Sequence, residues 1–79
     1  MSVTIRYFAR MADIAGCAHE SMAQVPATAA ELFAQLSERH RFGFGIGVLR
    51  VAVNDRLVSW QTALSDGDEI AFIPPVSGG

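Results

Sequence analysis

The pair Gly78-Gly79 is the part of the sequence best suited to covalent chemistry. Neither residue has a side chain, so we expect the α-carboxylate of Gly79 to pass into a channel too narrow for other residues. A carboxylate is a poor acyl donor, because its pKa of about 3.5 keeps it ionised at neutral pH. It reacts only after an oxygen has become a leaving group. The pattern therefore predicts a chain that inserts its C-terminus into another protein's active site.

The residues before the glycines fit the same use. Four residues after Pro75 span at most about 14 Å when extended, which is enough to enter a pocket from a docked domain. Pro74 and Pro75 stiffen the start of the tail and lower the entropy lost on insertion. Val76 and Ser77 are modest in size. The alternative is a disordered end with incidental glycines.

A hydrophobic docking patch is expected beside the tail, formed by Phe72, Pro75 and Val76. The alternative for Phe72 is a place in the core. The acidic residues Asp66, Asp68 and Glu69 surround a glycine, which is typical of a solvated turn, and a docking role is the alternative. The predicted binding residues are thus Phe72, Pro74, Pro75, Val76, Ser77 and Gly78, with Gly79 as the reactive residue.

The other reactive side chains lack partners at a useful spacing. Cys17 is the only cysteine, which excludes an intrachain disulfide and a CxxC site; we expect a small buried hydrophobe there rather than a sulfur relay. His19 and His40 show no metal-ligand spacing, and His40 suits the C-terminal end of a helix. The glycines of 43–47 lack the lysine of a phosphate loop. We therefore expect no metal and no permanently bound cofactor.

Length and composition narrow the class of protein. The 79 residues suffice for one domain, and a net charge of −2 excludes the dense basic surface of a nucleic-acid binder. All six basic residues other than histidine are arginines, so no copy can accept an isopeptide bond on a lysine of another copy. No signal peptide or long apolar run is visible, and the lone cysteine suits a reducing compartment. We expect a cytoplasmic protein.

Local patterns predict the elements that position the tail. Alternation predicts strands over 3–8, 49–53 and 69–73, with weaker ones over 18–25 and 57–58. Helical spacing predicts a short helix over 8–15 that ends at Gly16. A longer helix is predicted to begin at Thr28, which forms a capping box with Glu31, and it can end at Gly43. We expect the apolar stripe of the longer helix in the core, namely Ala29, Leu32, Phe33 and Leu36, and we expect Phe8, Met11 and Trp60 in the core or at its edge. We therefore predict an α+β domain in which one main helix covers a sheet whose first and last strands are parallel neighbours. This is the element order of the β-grasp, or ubiquitin-like, fold.

With this order and this tail, the chain resembles the MoaD family of sulfur carriers, the small subunits of molybdopterin synthase. The matching stretches are 3–10, 51–54 and above all 64–79, where an Asp-Gly-Asp-Glu turn, an apolar strand, Pro-Pro and Gly-Gly occur together. The glycine-rich segment 41–47 departs from the family pattern. The resemblance implies a β-grasp domain over residues 1–75 and a flexible tail over 76–79.

The resemblance also implies a reaction. An ATP-dependent enzyme of the ubiquitin-activating type adenylates Gly79, and a persulfide replaces the adenylate and leaves a thiocarboxylate. The tail then enters the synthase large subunit and donates sulfur to a cyclic pyranopterin precursor, which builds the dithiolene that later holds molybdenum. By this resemblance the small subunit has no catalytic activity alone and works in a heterotetramer of two small and two large subunits. The alternatives are a sulfur carrier for thiamine, amino-acid or tRNA thiolation, a ubiquitin-like protein modifier, or a plain interaction module.

Overall fold

The computed structural model describes residues 1–43 and 45–74. Within these residues the chain forms five strands, two α-helices and one 3₁₀ turn at Ile46–Val48. The strands are β1 (Val3–Tyr7), β2 (His19–Met22), β3 (Arg50–Val53), β4 (Arg56–Val58) and β5 (Glu69–Ile73), and the helices are α1 (Ala9–Ala15) and α2 (Ala29–His40). No helix in the described part of the chain has the length and apolar character needed to cross a membrane.

The strands form one mixed sheet in the order β2-β1-β5-β3-β4. Strands β1 and β5 are parallel, with Ile5 beside Ile70 and Tyr7 beside Phe72, whereas the other neighbours are antiparallel. Parallel neighbours require a long crossover, and the chain between these two strands includes α2. The predicted pairing of first and last strands, and with it the β-grasp fold, is confirmed.

The core lies between α2 and one face of the sheet. Alternation buries Val3, Ile5 and Tyr7 of β1, as predicted. The predicted apolar stripe of α2 is also buried; it consists of Ala29, Leu32, Phe33 and Leu36. Met11 of α1 is buried as well. Trp60 is partly buried against this core. Phe8, expected in the core or at its edge, is 40% exposed, because it follows Tyr7 and points to the other side of the sheet.

The helix ends follow from local residues, with one correction. Gly16 ends α1 in the left-handed conformation (φ 78°), as predicted. The side chain of Thr28 accepts a hydrogen bond from the backbone N–H of Glu31, which is one half of the predicted capping box. However, α2 ends at His40, and Arg41 rather than Gly43 follows it in the left-handed conformation (φ 54°). The cause is Phe42, which is buried against Phe33 and draws the chain into the core.

The remaining strands depart from prediction only at their ends. Strand β2 is shorter than the predicted range 18–25, because its last residue, Met22, pairs with Val3 at the beginning of β1. Asn54 and Asp55 both have positive φ and form the tight turn between β3 and β4. Gly67 (φ 86°) lies in the predicted turn before β5.

Candidate functional site

The tail begins at the centre of the sheet. Strand β5 is hydrogen-bonded to β1 on one side and β3 on the other, and Pro74 follows it directly. Pro74 is partly buried and is the last described residue. The base of the tail is thus held on both sides by neighbouring strands. The other predicted tail residues lie outside the described part of the chain: Pro75, Val76, Ser77, Gly78 and Gly79.

Phe72 does not belong to a docking patch, and that prediction was wrong. Its side chain is fully buried, with its ring 5.3 Å from that of Phe33 and 5.9 Å from that of Trp60, measured between centroids. The reason is the parity of β5: Ile70 and Phe72 face α2, so the intervening residues face away from it. The alternative, that Phe72 is a core residue, is confirmed.

The face of the sheet turned away from the helices carries an apolar patch beside the tail. Strand register places Ala71 beside Ala52, and Ala52 beside Leu57, on this face. Leu57 is 63% exposed. Ile73 lies on the same face. Phe8 directly follows Tyr7, which pairs with Phe72, and therefore lies at the end of the sheet near Ile73. We call the exposed and partly buried members of this set the open-face patch; it comprises Phe8, Leu57, Ala71 and Ile73, and the buried Ala52 lies between Leu57 and Ala71.

Sequence reasoning missed the open-face patch, although one signal could have located part of it. Once Val3, Ile5 and Tyr7 are assigned to the core, Phe8 must point to the opposite face. The guanidinium of Arg6 lies on this face too, 5.4 Å from the centre of the Phe8 ring. Such a surface, apolar at its centre and bordered by the ion pair of Arg6 with Glu69, is suited to binding another protein.

A polar cluster around Glu20 fastens the C-terminal end of α2 to the sheet. The hydroxyl of Tyr7 donates to the Glu20 carboxylate at 2.7 Å, and Arg39 donates to its other oxygen at 2.5 Å. Nε2 of His40 lies 2.8 Å from the oxygen that Tyr7 also contacts. His40 is the last residue of α2, in agreement with the expected helix C-terminal position, but it is not a surface residue, because only 13% of its side chain is exposed.

This cluster shifts the pKa values of two groups in opposite directions. Burial raises the pKa of the Glu20 carboxyl, but the hydrogen bonds from Tyr7, His40 and Arg39 together outweigh burial and lower it below 4.5. Burial and the hydrogen bond to Glu20 raise the pKa of the Tyr7 phenol well above its ordinary value. Tyr7 therefore remains a hydrogen-bond donor and Glu20 an acceptor. The cluster therefore stabilises the fold near the base of the tail and has no chemically reactive group.

The acidic turn is used within the fold. The carboxylate of Asp68 accepts hydrogen bonds from the backbone of Ser65 at 2.7 Å and from the Asn54 amide at 3.0 Å. Asp66 accepts from the backbone N–H of Ser2 at 2.6 Å. The turn precedes β5, whereas the tail follows it, so these carboxylates lie at the opposite end of the strand from the tail. These contacts support the interpretation of a turn.

Two other predicted positions have plain structural surroundings. Cys17 is a free thiol, partly buried and packed against the core. His19 is exposed at the beginning of β2. Among the described residues no group of three histidine, cysteine, aspartate or glutamate side chains is placed to hold a metal ion.

Comparison with known proteins identifies the family. Residues 5–79 match the model of the ThiS family. The molybdopterin synthase sulfur carrier subunit of Escherichia coli (strain K12) is 39% identical, over 98% of this chain and 99% of that protein. Among solved structures, SAMP1 from Haloferax volcanii has a TM-score of 0.82 at 27% identity, with both chains fully covered. A chain in the complex of subunits 1 and 2 of the molybdopterin-converting factor from Helicobacter pylori 26695 has a TM-score of 0.70 at 34% identity, again with both chains fully covered. The chain therefore belongs to the ThiS family and is a relative of the molybdopterin synthase sulfur carrier subunits.

Proposed function

We propose that this chain is the sulfur carrier subunit of a molybdopterin synthase and that Gly79 carries the sulfur. The observation that carries the proposal is the place where the tail begins: Pro74 directly follows the central strand of the sheet, whose last residue, Ile73, belongs to the open-face patch. A domain anchored in this way can present its last residues to an enzyme without rearranging. Membership of the ThiS family supports the same assignment.

The chemistry requires activation of the Gly79 carboxylate by a partner. A carboxylate oxygen attacks the α-phosphorus of ATP, pyrophosphate leaves, and the acyl adenylate now has AMP as a leaving group. A persulfide sulfur displaces AMP, and a thiol then cleaves the sulfur–sulfur bond to leave the thiocarboxylate. ATP belongs to the activating enzyme of the ubiquitin-activating type, and the chain itself holds no permanent cofactor. The thiocarboxylate then donates its sulfur to the pyranopterin precursor that becomes molybdopterin.

The partner for sulfur donation is the synthase large subunit, in a heterotetramer of the kind the family implies. The Helicobacter pylori relative was solved as a complex of subunits 1 and 2, which supports this partner. The open-face patch supplies the contact, with residues 75–79 inserted and Pro74 at the domain boundary. We place the reaction in the cytoplasm, where a lone thiol such as Cys17 stays reduced.

A second candidate function is protein modification. It is favoured by the likeness to SAMP1 from Haloferax volcanii, since SAMP1 stands for small archaeal modifier protein 1. Both functions proceed through the same acyl adenylate at Gly79. They differ in the group that receives the acyl carbon: sulfur in a sulfur carrier, and a lysine amine of a target protein in a modifier. The chain contains no lysine, so a modifier of this sequence could not form chains on its own lysine side chains.

The test is the intact mass of the protein after incubation with ATP, a sulfide source and a molybdopterin-type activating enzyme. We expect a gain equal to the exchange of one oxygen for one sulfur, located at Gly79, followed by molybdopterin formation when the large subunit and precursor are added. Deleting Gly79 and adding a residue after it should each abolish both results. No gain with an enzyme active on another carrier would contradict the proposal. Lysine conjugates without sulfur transfer would favour the modifier.

A further inference from the structure

Three arginines lie at the end of the sheet where the tail begins, and three aspartates lie at the opposite end. Arg50 begins β3 and pairs with Ile73, the last residue of β5. Arg10 lies in the first turn of α1, directly after β1, and Arg41 follows the last residue of α2. We call Arg10, Arg41 and Arg50 the arginine collar.

The topology places the collar around the base of the tail. Strand β1 is parallel to β5 and ends at Tyr7, beside Phe72, so α1 begins at the end of the sheet where the tail begins. The ring of Phe42 lies 5.7 Å from that of Tyr7, which brings the neighbouring Arg41 to the same end. The three arginines thus come from three different elements to one end of the sheet.

Only Arg41 has an evident structural use, because it directly follows α2 and positive charge there complements the negative end of the helix dipole. All three arginines are exposed, and none of them forms an ion pair within the described part of the chain. By contrast, Arg39 pairs with Glu20 and Arg6 lies 3.5 Å from Glu69. At Arg10 the first turn of a helix favours acidic rather than basic side chains. The helix dipole accounts for Arg41 alone, so folding does not explain why Arg10 and Arg50 lie at the same end of the sheet.

The opposite end of the sheet is acidic. Asp55, Asp66 and Asp68 lie in the turns around the beginning of β5. Strand β5 separates the two ends by about 13 Å, at about 3.3 Å per residue. This exceeds the Debye length of about 8 Å at physiological ionic strength. A protein approaching the tail therefore meets positive charge, although the chain has a net charge of −2.

We propose that the arginine collar binds carboxylates on the rim of the large-subunit pocket that receives the tail, and that this contact directs the domain to bind tail-first. The inference rests on the proposed function. Residues 75–79 span at most about 17 Å when extended, so a protein that holds Gly79 must lie against this end of the domain. Opposite charges on the two surfaces accelerate productive encounters, and the acidic end disfavours the reversed orientation.

Two arginines provide a matched test, because each is the exposed first residue of a strand in the same sheet. Arg50 begins β3 at the tail end, and Arg56 begins β4 beside the acidic turn. We measure the association rate of the full-length chain with the purified large subunit by stopped-flow fluorescence, at low and high salt and without ATP. Arg50→Glu should lower the rate about fivefold at low salt, and Arg41→Glu/Arg50→Glu about tenfold or more. Arg56→Glu should change it less than twofold.

At about 0.5 M salt the variants should converge on the wild-type rate, because exposed charges are then screened. Arg50→Gln, which removes the charge without reversing it, should have a smaller effect of the same sign and serves if Arg50→Glu fails to fold. Equal rates for Arg50→Glu and Arg56→Glu, or a deficit that salt does not reduce, would overturn the inference while sulfur loading of Gly79 remained intact. A wild-type chain that neither binds the large subunit nor accepts sulfur would instead overturn the proposed function, and the inference with it.

Discussion

Replacing Glu20 by glutamine should destabilise the domain by removing one charge from the cluster that fastens α2 to the sheet. The carboxylate accepts hydrogen bonds from Tyr7 and Arg39 and contacts His40. Glutamine keeps the shape of the side chain but offers one uncharged acceptor, and its NH₂ group faces a donor, either the Tyr7 hydroxyl or Arg39. The change therefore tests the charge rather than the packing.

The expected loss in the free energy of unfolding is about 2 kcal/mol at pH 7. A hydrogen bond to a charged group contributes about 1 kcal/mol more than a neutral one, and three contacts are involved. We discount the contact with Arg39, whose side chain is 53% exposed and therefore screened by water. For a domain of this size the loss corresponds to a fall in Tm of about 8–16 °C.

The difference should depend on pH in a defined direction. The folded state lowers the pKa of Glu20 below its ordinary value of 4.5, so the folded state binds fewer protons there than the unfolded state. The resulting stability is fully present above about pH 5 and is lost as the pH falls through the lowered folded-state pKa. The wild-type protein should therefore approach the Glu20→Gln variant in stability as the solution is acidified below about pH 4.5.

Urea titration followed by far-UV circular dichroism measures both effects. Glu38→Gln is the matched control, because Glu38 is exposed on the same helix and forms no ion pair within the described residues. Its effect should stay below about 0.5 kcal/mol. If the two variants are equally stable at pH 7, or if the gap between wild type and Glu20→Gln persists unchanged at pH 3, the cluster does not act through the charge of Glu20.

Two further variants separate the core from the docking surface. Phe72→Ala should lower the free energy of unfolding by about 3–5 kcal/mol, because it leaves a cavity between Phe33 and Trp60, and a loss below 1 kcal/mol in urea titration would contradict its burial. Leu57→Ser should change stability by less than about 0.5 kcal/mol, since the side chain is 63% exposed, yet weaken binding to the large subunit about tenfold. Unchanged affinity in isothermal titration calorimetry would exclude the open-face patch as the docking surface.

Most of the fold could be predicted because its signals are local. Alternation in β1 and the spacing of the α2 stripe were sufficient to assign which side chains are buried. The caps at Gly16 and Thr28 depend on residues within one helical turn, and the structure places both as predicted. Where a boundary moved, as at the end of α2, the cause was tertiary: Phe42 enters the core and turns the chain at Arg41.

The candidate site was predicted only in part, for a physical reason. The Gly-Gly motif and the prolines are consecutive residues, so the sequence by itself determined the chemistry proposed for the tail. The period of a strand indicates that neighbouring side chains face opposite sides, but it does not say which side is the core, so only the packing of α2 decided that Phe72 is buried. The Glu20 cluster and the arginine collar join residues distant in the chain, which only the pairing of β1 with β5 and the return of α2 bring together.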